Sequence, residues 1–318
     1  MISAWELGAM LYVPSTHRSL VEVGKGIKYP FLRSVAFCTE DAVRESEVPQ
    51  GMEALGKAFR QWGDGGPRRF VRVRNPEILR QICQMPGWKT LSGFVLPKVN
   101  PERFDQFSAA LPERFNGYVM PTLETSEVLD LNALNTLREK LCRSPYRSQI
   151  IVLRIGGNDL LSLLGLRRPR HKTIYSTPIG TVIPWLVMTF RPFGFSLSAP
   201  VCEYYDDAKT LAREVKKDLV MGLSGKTAIH PLQVPVIERH YRVSRRDLQA
   251  AERILSDGAS AVFGWDGAMC EPATHRRWAE DVIMRAKVFG IAEYASVRKY
   301  LNVDRYEQRA FDIHANDT

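Results

Sequence analysis

The chain has 318 residues with 44 Lys and Arg against 35 Asp and Glu, a formal net charge of +9, and 45% of its residues are hydrophobic. This composition is typical of a globular protein and excludes a disordered or collagen-like chain. The longest apolar run, residues 181–190, covers half of the roughly 20 residues that a membrane-spanning helix needs, and it contains Pro184.

Short apolar runs rich in β-branched residues recur along the first 230 residues, and each predicts a strand. The eight runs are Ala9–Val13, Ser34–Phe37, Phe70–Val73, Gly93–Leu96, Tyr118–Met120, Ile150–Ile155, Phe193–Leu197 and Gly222–Ile229. Helical patterns lie between them, for example over residues 127–141 and 206–219. Eight strand–helix repeats predict a closed (β/α)8 TIM barrel. An open doubly wound sheet is the alternative, but no Gly-x-Gly-x-x-Gly motif follows the first strand.

The pattern changes after Ser244. Residues 245–256 and 272–289 predict two helices, and a glycine-rich hinge is expected over residues 258–267. We therefore expect two domains. The first is a TIM-barrel catalytic domain over residues 1–256, and the second is a C-terminal helical lid or extension over residues 257–318.

Two further sequence patterns concern ligand binding and the cellular compartment of the protein. The basic stretch from Arg167 to Lys172 is either a solvated loop or a seat for a phosphate- or carboxylate-rich ligand. The five cysteines lie far apart without a Cys-x-x-Cys pair, which predicts free thiols in a reducing cytoplasm. The N-terminus does not resemble a signal peptide, and no nucleic-acid-binding signature is present, so neither a membrane nor a nucleic acid is an expected partner.

Polar residues follow each predicted strand, and a barrel gathers all carboxyl ends of its strands at the face that carries the active site. Glu124 and Asp159 follow two different strands. Carboxylate oxygens suit Mg²⁺, which uses one or two of them and keeps other positions for water and substrate. Arg72 offers a permanent positive charge at the same face. The alternative is that these acids are helix caps or partners in surface salt bridges.

An ordered set of motifs extends this interpretation. They are residues 12–14, 40–43, 71–73, 96–98, 121–125, 157–160 and 225–233. The set resembles the citrate lyase beta-subunit and malyl-CoA lyase family over about residues 10 to 290. The resemblance implies a TIM barrel of the phosphoenolpyruvate/pyruvate type, magnesium bound by Glu124 and Asp159, and an enolate-stabilising Arg72. The family cleaves or condenses 3-hydroxy acids, usually as thioesters, into an acetyl-type enolate and a 2-oxo acid.

The resemblance also assigns supporting residues. Glu40 and Asp41 are expected to order metal-bound water and to take part in catalysis. The expected substrate-binding residues are Arg72, Arg18, Lys98, Gly157 and Asn158. Residues 266–272 are similar to the family's lid, which supplies an acid to a neighbouring subunit in a homotrimer. Glu271 would be that acid, in a trimer or hexamer, although an acid at a helix N-terminus before Pro272 is the alternative.

Three positions depart from the family pattern. Cys38 and Thr39 precede Glu40 where the family has Asp-Leu, so one strand-end carboxylate is missing. Glu271 replaces an aspartate, and Ser15 replaces a glycine, which bears on thioester handling near Arg18. These changes favour a divergent branch with a different substrate, similar to barrel lyases of tellurite-resistance and stress-type gene clusters.

The leading hypothesis is therefore a cytoplasmic, Mg²⁺-dependent carbon–carbon lyase that acts on a 3-hydroxy acid or its acyl thioester. One alternative is an acyl-CoA thioester hydrolase that uses the same site. The other is a non-catalytic, ligand-binding subunit of a larger complex.

Overall fold

A computed structural model describes residues 2–292 and divides the chain into two compact units, Met1–His240 and Tyr241–Thr318. The division falls before the expected boundary at residue 256. The reason lies in the second unit, where the helix Arg245–Ile254 packs against the helix Pro272–Phe289. Residues 293–318 of the expected lid lie outside the described residues, and the lid role stays a prediction.

Eight parallel strands form the first unit's sheet. They are β1 (Ala9–Pro14), β2 (Ser34–Cys38), β3 (Arg68–Arg72), β4 (Gly93–Leu96), β5 (Tyr118–Leu123), β6 (Leu153–Ile155), β7 (Leu197–Ser198) and β8 (Lys226–Ala228). Neighbouring strands follow chain order, and β8 pairs with β1. A parallel bridge between Ala199 and Lys226 joins the end of β7 to β8. The predicted (β/α)8 TIM barrel is confirmed.

Helices connect the strands on the outside of the barrel. They are α1 (Leu20–Gly24), α2 (Val48–Phe59), α3 (Pro76–Gln84), α4 (Pro101–Ala110), α5 (Leu131–Arg143), α6 (Gly157–Leu163), α7 (Ile179–Phe190), α8 (Ala208–Val220) and α9 (Gln233–Tyr241). The local sequence determines where several of these helices begin. At the start of α3, the Asn75 side chain accepts a 2.9 Å hydrogen bond from the Ile78 amide, and Pro76 occupies the first helical position. Within residues 2–292, no helix is both long and apolar enough to span a bilayer.

Three predicted strands are longer than the strands in the structure, and one of them is the run at 222–229, which forms β8 only over Lys226–Ala228. The run at 150–155 forms a strand only over its last three residues, although Ile150 makes an isolated parallel bridge to Val119. The predicted strand at 193–197 was wrong over most of its length. There Arg191–Phe193 forms a 3-10 turn that ends at Gly194 in a left-handed conformation (φ +78°), so β7 starts only at Leu197. Apolar character alone does not separate a short helix from a strand.

The barrel lumen changes character along its axis. Its amino-terminal half is apolar and is filled by buried side chains that include Leu7, Met10, Ala36, Phe70, Val95, Met120 and Val152. Because side chains alternate along a strand, residues two positions further on face the lumen as well. On β1, β3 and β5 these residues are Tyr12, Arg72 and Thr122. The lumen therefore becomes polar toward the carboxyl ends of the strands.

The second unit holds α10 (Arg245–Ile254), an antiparallel hairpin of β9 (Phe263–Trp265) and β10 (Ala268–Cys270), and α11 (Pro272–Phe289). The hairpin corrects the expected glycine-rich hinge at 258–267. Asp266 (φ +54°) and Gly267 (φ +78°) form its two-residue turn. Asp-Gly is a strong hairpin signal, which the sequence interpretation missed.

Candidate active site

Arg72, at the end of β3, is the centre of an ion-pair cluster at the carboxyl ends of the strands. Its Nη2 lies 2.8 Å from Glu40 Oε2, 3.1 Å from Glu124 Oε1 and 3.2 Å from Asp41 Oδ2. Arg72, Glu40 and Glu124 are buried, whereas the Asp41 side chain is half-exposed. One buried guanidinium is thus shared by carboxylates from the ends of two other strands, in charge-assisted contacts.

Lys98 extends the cluster to Asp159. Its Nζ lies 2.8 Å from Glu40 Oε1, 3.2 Å from Asp41 Oδ1 and 3.8 Å from Asp159 Oδ1. Its backbone amide donates a 2.8 Å hydrogen bond to Glu124 Oε1. Lys98 adopts φ +52°, which is uncommon for a residue with a side chain and is found at functional sites. The lysine predicted to bind substrate therefore also connects both expected metal ligands.

Arg74 positions the loop that carries Glu40 and Asp41. Its Nη2 donates to the carbonyl oxygens of Glu40 (3.1 Å) and Val43 (2.6 Å), and its Nε donates to the carbonyl oxygen of Thr39 (3.1 Å). Arg74 was not among the site residues predicted from the sequence. Its signal was the arginine two residues after Arg72, on the same face of the extended chain.

The Glu124 carboxylate is buried and lies near both positive and negative charges. Burial raises its pKa to about 7, and the carboxylates of Asp159 and Glu40 add to the increase, while Arg72 and the Lys98 amide oppose it. Glu124 Oε1 accepts the hydrogen bonds from Arg72 Nη2 and from the Lys98 amide, and Glu124 Oε2 faces Gly156. A Cβ at Gly156 would lie 2.4 Å from Glu124 Cβ, which cannot move without its backbone, so this position favours glycine.

The donor chemistry of this rim fits a hard divalent cation. Glu124 and Asp159 bring carboxylates from the ends of β5 and β6 to one residue, Lys98, whose backbone amide contacts Glu124 and whose ammonium lies near Asp159. Among residues 2–292, no group of three or more His, Cys, Asp or Glu side chains is arranged to hold a metal. Mg²⁺ does not require such a group, because it is commonly held by one or two carboxylates together with water and substrate oxygens.

Magnesium affinity is expected to fall as the pH drops below about 7. The pKa of Glu124 is raised to about 7, so below that pH the carboxyl is increasingly protonated, and the proton competes with the cation. Displacement of one proton lowers the apparent affinity roughly tenfold per pH unit on the acidic side. Isothermal titration with MgCl₂ between pH 5.5 and 8.5 measures this slope. A flat profile across pH 7 would contradict the role of Glu124.

The other predicted site residues lie around this cluster or outside it. Arg18 is exposed in the loop after β1, at the same rim. Gly157 is buried against Pro200, and Asn158 lines a cavity of about 290 Å³ together with Arg167, Glu203 and Tyr204. Glu271 belongs to the second unit. It caps α11, and its Oε2 accepts a 2.9 Å hydrogen bond from the Thr274 hydroxyl, as the helix-terminus alternative expects.

Arg168 of the basic stretch and Lys226 belong to a second network, which is wholly buried. Arg168 Nη1 donates to both oxygens of Glu214 (3.1 and 2.9 Å), and Lys226 Nζ donates to Glu214 (2.9 Å) and Asp218 (3.0 Å). Arg168 is therefore not a solvated residue. Arg170 is exposed and pairs with Asp206, and Arg167 is largely exposed, so the solvated-loop alternative holds for these two residues.

Curated relatives cover most of the chain. A (3S)-malyl-CoA thioesterase of Cereibacter sphaeroides is 25% identical over 251 residues, which are 78% of this chain and 81% of the relative. A mitochondrial citramalyl-CoA lyase of Mus musculus is 24% identical over 271 residues, which cover 78% of this chain and 75% of the relative.

Comparison with solved structures gives the same fold. The crystal structure of protein CitE from Mycobacterium tuberculosis, in complex with magnesium, acetoacetate and coenzyme A, superposes with a TM-score of 0.64 at 20% identity. It covers 88% of this chain and 98% of the other. A family model described as a C-C bond lyase of the TIM-barrel fold matches residues 1–291. The chain therefore belongs to this family of TIM-barrel carbon–carbon bond lyases.

Proposed function

We propose that this lyase uses Mg²⁺ to cleave or form a carbon–carbon bond in a 3-hydroxy acid or its acyl thioester, through an enolate. The observation that carries the proposal is the cluster in which Arg72 and Lys98 bring Glu40, Asp41, Glu124 and Asp159 together at the barrel rim. Magnesium complexes of a structural neighbour and the citramalyl-CoA lyase activity of a relative support it.

The residues of the cluster have distinct roles in this proposal. Glu124 and Asp159 would hold the cation, which as a Lewis acid stabilises negative charge on an enolate oxygen. Arg72 directs its guanidinium at the substrate's carboxylate or oxo group. Its Nε is buried with no hydrogen-bond partner among residues 2–292, so the guanidinium has a donor that the described residues do not use.

Glu40 and Asp41 hold the side chains of Arg72 and Lys98 in place, and they order water around the metal. Glu40 spans Arg72 and Lys98 with its two oxygens, and it accepts a 2.8 Å hydrogen bond from the Asp41 amide. Burial raises the pKa of Glu40 and the hydrogen bond with the Asp41 side chain adds to this, against the effect of Arg72 and Lys98.

Predicted site residues outside the ion-pair cluster also have proposed roles. Arg18, Gly157 and Asn158 contact the acyl or thioester part of the substrate at the rim. Glu271 moves a proton at the acyl carbon, from a neighbouring subunit of a homo-oligomer, either a trimer or a hexamer. All five cysteines are free in the structure, which supports action in the cytoplasm.

Product analysis tests the proposal. The protein is incubated with Mg²⁺ and either (3S)-malyl-CoA or citramalyl-CoA, and 2-oxo acid and free thiol are measured in parallel. A lyase releases a 2-oxo acid and a shorter acyl-CoA in equal amounts, with no free thiol. Release of free thiol without a 2-oxo acid would support the thioesterase alternative, which the Cereibacter relative favours. No turnover of either thioester, of citryl-CoA, or of the free 3-hydroxy acids, citrate included, would contradict both.

A further inference from the structure

A buried arginine lies in the barrel lumen below the expected metal ligands. Arg154, in the middle of β6, is 3% exposed. The strand register pairs Arg154 with Thr122 on β5 and with Ser198 on β7. Because paired residues of parallel strands point to the same face, these three side chains form one row across the sheet. Thr122 shares its face with Met120 of the lumen core, so the row faces the lumen.

Arg154 has no acidic partner there. Its Nη2 donates to the Thr227 hydroxyl, and its Nη1 approaches the sulfurs of Met10 (3.5 Å) and Met120 (3.9 Å). Its Cζ lies 5.2 Å from the centre of the Tyr12 ring. Within residues 2–292, no carboxylate pairs with this guanidinium, whereas the buried Arg72 and Arg168 both pair with glutamates. A buried charge without a counter-ion is strongly unfavourable.

The two neighbours of Arg154 in the row are also unsatisfied. Thr122 and Ser198 are 5% and 2% exposed, and neither hydroxyl oxygen has a hydrogen-bond partner among the described residues. Most buried polar atoms are hydrogen-bonded, and an unsatisfied one is unfavourable. The row thus holds a cation without a carboxylate partner and, on the two neighbouring strands, two hydroxyls without hydrogen-bond partners, which together supply the charge and the donors that a carboxylate needs.

We propose that Arg154, Thr122 and Ser198 form a subsite for a second anionic group of the substrate, so that the 2-oxo acid fragment is a dicarboxylate. This proposal rests on the proposed function, which puts the first carboxylate and the oxo group at the metal. Glu124 directly follows β5, and Thr122 lies two residues before it, about 6.6 Å along the strand axis. The proposal places a short dicarboxylate across the interval between the rim and the row.

Calorimetric titration of oxaloacetate and pyruvate, each with saturating Mg²⁺, tests the subsite. The two probes share a 2-oxo acid end, and only oxaloacetate carries a second carboxylate. The wild type is expected to bind oxaloacetate about 10- to 100-fold more tightly, the range for a hydrogen bond to a charged group. Arg154→Met should remove that preference and leave pyruvate affinity unchanged, and Arg154→Lys should retain part of it.

Ser198→Ala and Thr122→Val keep the test informative if Arg154→Met does not fold. Each removes an unpartnered hydroxyl, so each is expected to preserve or raise the melting temperature while it lowers the preference for oxaloacetate. The subsite would be contradicted, and the proposed function would not, if Arg154→Met lost affinity for oxaloacetate and pyruvate equally. An unchanged preference for oxaloacetate in both hydroxyl variants would have the same meaning. Failure of both ligands to bind the wild type would overturn the proposed function and the subsite together.

Discussion

Replacing Glu124 by glutamine is expected to weaken Mg²⁺ binding by about 100-fold or more, because even the outer partners of a metal typically contribute 10- to 100-fold. Lyase turnover should fall at least as far. Glutamine keeps the shape of the side chain and can still accept the hydrogen bond from the Lys98 amide. It lacks the negative charge that a hard cation requires. Isothermal titration and the product assay measure the two effects separately.

The fold should tolerate this change. Arg72 keeps its contacts with Glu40 and Asp41 when Glu124 becomes neutral. The raised pKa of Glu124 means that its ionised form is disfavoured by burial, so a neutral amide relieves part of that effect. We therefore expect the melting temperature of the Glu124→Gln variant to stay the same or to rise, as is common when a functional buried charge is removed.

Glu139→Gln is the matched control. It makes the same change of charge at an exposed position of α5, where Glu139 pairs with Arg138 and Arg143. Its Mg²⁺ affinity and turnover should equal those of the wild type. Wild-type magnesium affinity in Glu124→Gln, or an equal loss in Glu139→Gln, would contradict the assignment of Glu124 as a metal ligand.

The sequence was most informative where chain order and strand alternation determine position. Glu40, Arg72 and Glu124 each follow or end an apolar run, and a parallel barrel brings all such ends to one face. The structure brings these residues together as expected. Their partners were harder to predict, because Arg74 acts through backbone carbonyls that no residue pattern reveals.

Charged residues inside apolar strands were the least predictable. Arg154 interrupts the run at 150–155, and sequence alone does not show whether its side chain faces the helices or the lumen. The answer depends on strand register, which one residue of slip inverts. Lys226 faces the helices instead, toward Glu214 and Asp218. Those acids are four residues apart on one face of α8, a spacing that could have revealed a buried cation partner.

Lys226→Met is expected to destabilise the protein by about 3–5 kcal/mol, the range measured when one partner of a buried ion pair is removed. Lys226 is 1% exposed, and Glu214 and Asp218 are equally buried. Loss of the ammonium leaves Glu214 paired with Arg168 and removes the ion pair of Asp218. The expected fall in melting temperature is roughly 6 to 20 °C. Lys216→Met, at an exposed position of the same helix α8, should change it little.

A double-mutant cycle separates the loss of the ion pair from the loss of packing. Asp218→Asn should cost less than Lys226→Met, because the amide oxygen can still accept the 2.7 Å hydrogen bond from the Tyr175 hydroxyl. In the double variant, neither an uncompensated carboxylate nor an uncompensated ammonium remains at this contact. Its destabilisation should be smaller than the sum of the single effects by more than about 1 kcal/mol, as expected for contacting residues. Additive effects in urea unfolding would mean that Lys226 contributes through its alkyl chain, and that its ion pair with Asp218 has no net influence on stability.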